Sequence, residues 1–294
     1  MDNVNDFFAT LSSCLWGWPM IILLLGTHIF LTIRLRFPQR KIITAIRLSV
    51  QRDKSQKGDV SQFGALATAL AATIGTGNII GVATAVALGG PGAVFWCWLT
   101  GVFGISTKYS EALLAIKYRV KSKRGTMQGG PMYTLERGLG WRKMGILFAL
   151  FTAIAAFGIG CTVQANAIST IMHASYGIST EVSGGVLMLL AAAVIIGGVR
   201  SISKVCSMLV PFMALLYVVG CIYILCINAS YVAPAHKLIV CSAYTPDAAG
   251  GGFAGASVIM AASYGIARGL FSNESGLGAA PIVAAAARTK NPVR

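Results

Sequence analysis

Two glycine-broken apolar segments carry the residues best suited to hold a small charged ligand away from bulk water. The first reads TIGTGNIIG (73–81) and the second SYGIARGLFSNESGLG (263–278). Glycine costs about 1 kcal/mol per residue inside a helix relative to alanine. Its clustering within an apolar run therefore predicts that the helix comes apart there. Unwound backbone at membrane depth is tolerated only where it is buried in protein or lines a water-filled cavity. In the first segment, a half-helix starting near Gly77 would aim free N–H groups and its positive dipole end at the gap, where a carboxylate fits. The carbonyls ending the preceding half, around Ala71 to Ile74, suit a hard cation such as Na⁺. Asn78 offers an oxygen to an ion or a hydrogen bond to a ligand. Glycine at 75 and 77 lets a small ligand approach the backbone. The plainer alternative is that these glycines only permit close helix packing, for which Asn78 is an expensive choice.

Further candidates flank these breaks. Phe157 and Gln164, within FGIGCTVQANAIS (157–169), are seven apart and are expected to share a helix face, with Asn166 nearby. Gln164 could bond a ligand's amine or carboxylate while Phe157 caps the pocket. An interhelical hydrogen bond from Gln164, worth about 0.6 kcal/mol in membranes, accounts for it equally well. Arg268 and Glu274 are charges within an apolar segment, each costing about 2.5–3.5 kcal/mol at a helix centre. They are expected to face a cavity or find partners. Arg268 suits an inner gate, pairing with Glu274 or Glu111, although Glu111 could equally pair with Lys108. Ser272 and Asn273 are candidates to cap the inner half-helix.

Enzyme chemistry finds no footing. The three histidines (28, 173 and 236) lie far apart, and no Ser-His, paired-carboxylate or metal-ligand spacing occurs. The seven cysteines form no CxxC pair and read as small apolar side chains. No cofactor is expected.

The elements that must position these residues are membrane helices. Hydrophobic residues make up 55% and charged residues 11% of 294, against about 25% charged in globular domains. The composition predicts an all-α polytopic membrane protein. The net charge of +15 could suggest nucleic acid, but the basic residues cluster in short loops between apolar runs, where they set orientation. Seven spans are expected at 14–33, 60–87, 92–116, 144–172, 182–199, 205–227 and 252–287. Asp2 and Asp6 with no early basic residue do not resemble a cleavable signal peptide, so the first span is expected to be retained. Loops 34–57 and 117–143 carry eight lysines and arginines each. Together with Arg200, Lys204 and 288–294 they predict an inner side, which places the N-terminus outside. Asp2, Asp6, Glu181 and Asp247 fall outside, with Lys237 as the base there.

Length points to the breaks as well. The last span, 36 residues, would be about 54 Å long as one helix against a hydrocarbon core of about 30 Å. A break at 264–269 is expected to divide it. GGPG (89–92) predicts a tight turn. The segment 125–140 reads either as a short amphipathic helix at the inner face or as a solvated loop.

Three stretches carry a resemblance: ALAATIGTGNIIGVATAVALGGPGAVFW (69–96), GGPMYTLERGLG (129–140) and RGLFSNESGLGAAPI (268–282). They resemble signatures of the alanine or glycine:cation symporter family, the sodium:alanine symporters of bacteria and archaea, and the likeness covers essentially the whole chain. It implies a leucine-transporter-like fold of about eleven spans, with a peripheral helix followed by two inverted five-helix repeats. Span 1 would be the peripheral helix and spans 2–6 the first repeat. Span 7 would be the first broken helix of the second repeat, with the chain truncated after it. The resemblance further implies that the Thr76 and Gly77 amides hold a substrate carboxylate. The Ala71 and Ile74 carbonyls would form half of a sodium site, with Thr73 and Asn78 near a second. The helix bearing Phe157 and Gln164 would line the pocket. The expected activity is cation-coupled symport of alanine or glycine by alternating access, with Na⁺ (or H⁺) as coupling ion, in the cell membrane. The competing expectation is a non-transporting fragment, or half of a split transporter that needs a partner chain for the missing helices.

Overall fold

The computed structural model describes residues 2–50, 58–123, 125–244 and 258–289. Residues 252–257 at the start of the expected last span lie outside them. So do Asp247 and the basic residues Arg52, Lys54, Lys57, Arg124, Lys290 and Arg294.

The described chain is helical almost throughout. It runs α1 (Asp2–Leu15), α2 (Trp18–Arg34), α3 (Ile42–Val50), α4 (Gln62–Thr73), a π-helical turn Gly77–Gly81, α5 (Val82–Gly89) and α6 (Gly92–Lys117). A hairpin of β1 (Val120–Lys121) and β2 (Met127–Gln128) follows, then α7 (Pro131–Gly138) and α8 (Arg142–Ala155). A second π segment, Ala156–Thr162, leads into α9 (Val163–Tyr176), α10 (Thr180–Ile195) and α11 (Gly198–Ile227). The last described helices are α12 (Ala229–Tyr244), α13 (Val258–Asn273) and α14 (Ala280–Ala284).

Two described helices are long and apolar enough alone to cross a bilayer, Arg142–Tyr176 and Gly198–Ile227. Two bent pairs reach that length together, Trp18–Arg34 with Pro38–Leu48 and Gln62–Thr73 with Gly77–Gly89. Two segments differ from the sequence expectation, and a third chooses between its alternatives. Helix α12 occupies a stretch expected as loop, because Pro234, His236 and Lys237 interrupt its apolar run. Helix α3 forms inside the basic loop. In 125–140 the helix covers Pro131–Gly138, with β2 before it, so the helical alternative applies to that part.

The chain divides into two compact units. One comprises Met1–Arg40, Gly77–Tyr109 and Val219–Leu277. Its core is a stripe of Ala262, Ile266 and Leu270 on α13, at i, i+4 and i+8, closed by Ile21 of α2 with Leu24, Leu25 and Trp96 against it. A second, polar layer joins α2 to α6. Thr107 Oγ1 lies 2.9 Å from His28 Nδ1, and Thr32 Oγ1 lies 2.8 Å from Ser106 Oγ. Gln39 Nε2 donates to Ser106 Oγ and to the Val102 carbonyl, both at 3.0 Å.

The other unit comprises Lys41–Thr76, Ser110–Val218 and Gly278–Arg294. Ser61 caps α4 by accepting from the Gly64 N–H at 3.0 Å. Val60, Ala65, Ala286 and Ala287 form a buried cluster at the start of α4. There residues 58–60 run beside 286–288, with Val60 bridged in parallel to Ala287. Gly145 lets α8 approach α7, since a Cβ there would come 2.7 Å from the Met132 carbonyl oxygen.

Candidate functional site

The first break forms where the glycines predict it. Helix α4 ends at Thr73, and Ile74 leaves the helix in an extended conformation, its N–H still bonded to the Leu70 carbonyl at 2.7 Å. Ala71 and Thr73 lie in the last turn of α4. The Thr73 hydroxyl turns back to the Ala69 carbonyl at 2.9 Å. Gly75 and Thr76 follow in the gap, and Gln164 meets them there. Its Oε1 accepts from the Thr76 hydroxyl at 2.8 Å and from the Thr76 N–H at 3.4 Å. A Cβ on Gly75 would come 3.1 Å from Gln164 Nε2, so glycine makes room for that amide. Gly75 and Thr76 thus form one constellation with Gln164, 88 residues beyond Thr76.

Gln164 is the second residue of α9, which follows the π segment Ala156–Thr162. Such segments are rare and recur at functional sites. This one separates two residues expected to share a face. The i, i+7 register holds for a continuous α-helix, and the π segment between Phe157 and Gln164 interrupts it. Phe157 is 79% exposed while Gln164 is half-buried on Thr76, so the expected pairing is corrected. Asn166 is exposed.

In the other unit, Gly77 and Asn78 lie in the π-helical turn Gly77–Gly81. The aromatic ring beside it is Phe271 of α13. A Cβ on Gly77 would touch the Phe271 ring at 3.7 Å, and Trp16 packs edge-on to that ring at 6.4 Å.

The second break lies elsewhere than expected. Residues 264–269 are continuous helix inside α13. Gly265 and Gly269 serve packing instead. A Cβ at 265 would come 2.7 Å from Trp96 Cβ, and one at 269 would come 3.0 Å from Cys97 Cα. Cys97 Sγ donates to the Gly265 carbonyl at 3.0 Å. These glycines let α6 press against α13, as small residues do in membranes. The helix ends only after Asn273, where Glu274, Gly276 and Gly278 take φ of +50°, +87° and +78°. Left-handed backbone of this kind suits glycine and terminates helices. Glu274 adopts it without that freedom.

Glu274 pairs with Lys108 of α6, its Oε2 3.8 Å from Nζ, rather than with Arg268. Glu274 lies past the end of α13 in left-handed backbone, so helical spacing from Arg268 does not set its direction. Arg268 is half-buried on α13, and Glu111 lies one turn beyond Lys108 on α6. Ser272 and Asn273 remain in the last turn of α13. The N-cap of α14 is Ala279, with no side-chain cap, so the capping expectation is corrected as well.

The sodium:alanine symporter family profile matches residues 1–294. The chain belongs to the sodium:alanine symporter family. It is 52% identical to an uncharacterized transporter of Haemophilus influenzae over 99% of this chain and 64% of that protein. It is 50% identical to the sodium/alanine symporter AgcS of Methanococcus maripaludis over 100% of this chain and 65% of that protein. It is 37% identical to the uncharacterized transporter YaaJ of Escherichia coli, over 98% of this chain and 60% of that protein. The chain therefore spans less than two thirds of the length of these relatives.

Three features of this sodium:alanine symporter family chain are not legible from spacing. Phe271 lies in a recognised motif, but its contact with Gly77 is a long-range one. Lys108 reads as a candidate partner of Glu111, yet it reaches the end of α13. Arg119 reads as a loop cation, yet its guanidinium donates to the carbonyls of Ala285 (3.0 Å), Ala287 (2.8 Å) and Thr289. Burial pushes Arg119 down from its ordinary value, and the nearby Asp59 carboxylate opposes that shift. Asp59 Oδ2 itself accepts from the Met127 N–H at 2.6 Å.

Proposed function

We propose that this chain carries the substrate-binding half-site of a cation-coupled symporter for alanine, glycine or a similarly small neutral amino acid. It would work by alternating access on a leucine-transporter-like fold. Membership of the family supports symport, and the 50% identity to a protein named sodium/alanine symporter supports Na⁺ and alanine ahead of H⁺ and other substrates. The single observation that carries the reading is the break at Ile74–Thr76 with the Gln164 amide held against it.

The chemistry follows from what that amide does. Gln164 Oε1, a neutral acceptor, occupies the Thr76 N–H and hydroxyl. A carboxylate accepts hydrogen bonds roughly twice as strongly as a neutral carbonyl. A substrate carboxylate would therefore displace Gln164 Oε1 from Thr76 and leave the Gln164 NH₂ to donate to the same anion. Glycine at 75 is proposed to leave room for a small side chain once the Gln164 amide moves. The carbonyls of Ala71 and Ile74, with Thr73, are proposed to take Na⁺, and Asn78 to serve either ligand. Arg268, Glu111 and Glu274 are proposed to act in gating. The N-terminus is proposed to face outward, as the distribution of basic loops predicts.

Reconstitution into proteoliposomes tests this. Labelled alanine is expected to enter with an inward Na⁺ gradient and not when choline replaces Na⁺. Asn78→Ala is expected to lower that uptake at least tenfold. Entry driven equally by choline with an inward proton gradient would transfer the coupling role to H⁺. Uptake unchanged by Asn78→Ala would remove Asn78 from the site.

A further inference from the structure

The end of α13 is an oxygen cradle for a cation. The last carbonyls of a helix have no partners within it and carry about half a negative charge between them. Here the chain adds a carboxylate at the same place, because Glu274 follows Asn273 directly. Three oxygens of the hard, cation-binding type converge: the backbone carbonyls of Asn273 and Glu274 and the Glu274 carboxylate. Oxygens of this kind suit hard cations. The cradle is already filled, by a side chain. Lys108 Nζ donates to the Asn273 carbonyl at 3.1 Å and to the Glu274 carbonyl at 3.2 Å, and lies 3.8 Å from Glu274 Oε2. The two side chains are 30% and 21% exposed, so neither charge is fully hydrated.

The face of α6 is shaped for this. Gly101, Gly104 and Lys108 stand at i, i+3 and i+7 and so share one side of the helix. A Cβ at 101 would come 3.6 Å from Asn273 Nδ2, and one at 104 would come 2.8 Å from Ser275 Oγ. The two glycines let residues 273–275 approach, and the lysine above them meets their carbonyls. Glu274 adopts a left-handed φ, unfavourable without glycine, at the point where its carbonyl meets Lys108.

We infer that Lys108 is a built-in cation for the second helix break: its ammonium occupies an oxygen cradle that would otherwise take a free monovalent cation such as Na⁺. Removing the charge converts the break into a cation-dependent one. The inference does not depend on alanine transport, and its readout needs none.

Thermal unfolding of the purified chain in nanodiscs, at matched ionic strength in NaCl and in choline chloride, tests it. Lys108→Met is expected to unfold at lower temperature than the parent in choline, and most of that gap is expected to close in NaCl. Lys108→Arg is expected to show no salt-specific gap. Lys108→Met combined with Glu274→Gln is expected to lose the recovery by Na⁺. If Lys108→Met does not fold, Lys108→Gln keeps an N–H donor without the charge and is expected to show the same recovery. An equal gap in both salts for the variant that folds, or no gap in either, overturns the inference and leaves Lys108 as an ordinary ion-pair partner.

Discussion

Gln164 illustrates how much one side chain decides at the break. Without it, the Thr76 N–H and hydroxyl would face the gap with no protein acceptor from that helix. Gln164→Ala is expected to raise the KM for alanine uptake at least tenfold, which is about 1.4 kcal/mol. Gln164→Glu places a fixed negative charge beside the proposed carboxylate position and is expected to abolish uptake. Transport kinetics in proteoliposomes checks both. Glycine roles separate equally sharply. Gly269→Leu drives a side chain into the α6 backbone and is expected to cost about 1–3 kcal/mol or more through overpacking. Gly81→Ala meets nothing within 4 Å and is expected to leave thermal unfolding nearly unchanged. Gly276→Ala must hold φ at +87° and is expected to cost about 1–2 kcal/mol. A thermal unfolding series in detergent ranks the three.

Elements carry the next set of consequences. The start of α4 is tied to the segment after α14 by three backbone hydrogen bonds: the N–H groups of Asp59 and Val60 to the Ala286 carbonyl, and that of Arg288 to the Val60 carbonyl. Arg119 clamps the same segment through three carbonyls. Arg119→Ala leaves those carbonyls without their charged donor, a loss of about 1.5–3 kcal/mol per bond of this kind. Amide exchange at Asp59, Val60 and Arg288 is expected to quicken at least tenfold, while exchange in α9 and α10 stays as it was. Glu181 lies in the first turn of α10. Its own backbone N–H, then the Ser179 and Thr180 hydroxyls, hold its carboxyl below the usual range. A depressed carboxyl contributes stability above its unfolded pKa of about 4.3 and loses it as pH falls through the lower folded value. Local unfolding of α10 is therefore expected to rise at acid pH, and Glu181→Gln is expected to remove that pH dependence. Exchange of α10 amides measured across pH 3–7 checks this.

On the scale of the whole molecule, apolar exposure is the dominant fact. Along α11, Met208, Phe212, Leu215, Leu216 and Tyr223 each expose more than 60% of their surface. Soluble monomers rarely carry apolar patches of such extent, whereas hydrocarbon makes them cost nothing. The basic loops then predict sidedness. Single-cysteine variants at Lys123 and Glu181, made in a background without the seven native cysteines, are expected to react with a membrane-impermeant maleimide from opposite sides. Labelling of both from the same side would overturn the orientation with the N-terminus outside.

Composition and glycine spacing alone determine that the chain is helical, that it belongs in a bilayer, and that the helix after 62 must break near 75. Each of these follows from local costs: charge in hydrocarbon, and glycine or extended backbone within a helix. Local cost could not decide which glycines in 263–278 unwind the chain and which admit a neighbour, because both uses call for the same residue. Only packing distinguishes them. Gly265 and Gly269 have the α6 backbone against them, while Gly276 and Gly278 have left-handed φ. The partners of Glu274 and of Arg119 were out of reach for the same reason. An ion pair or clamp across 166 or more residues is set by where helices meet, and that meeting has no period in the sequence.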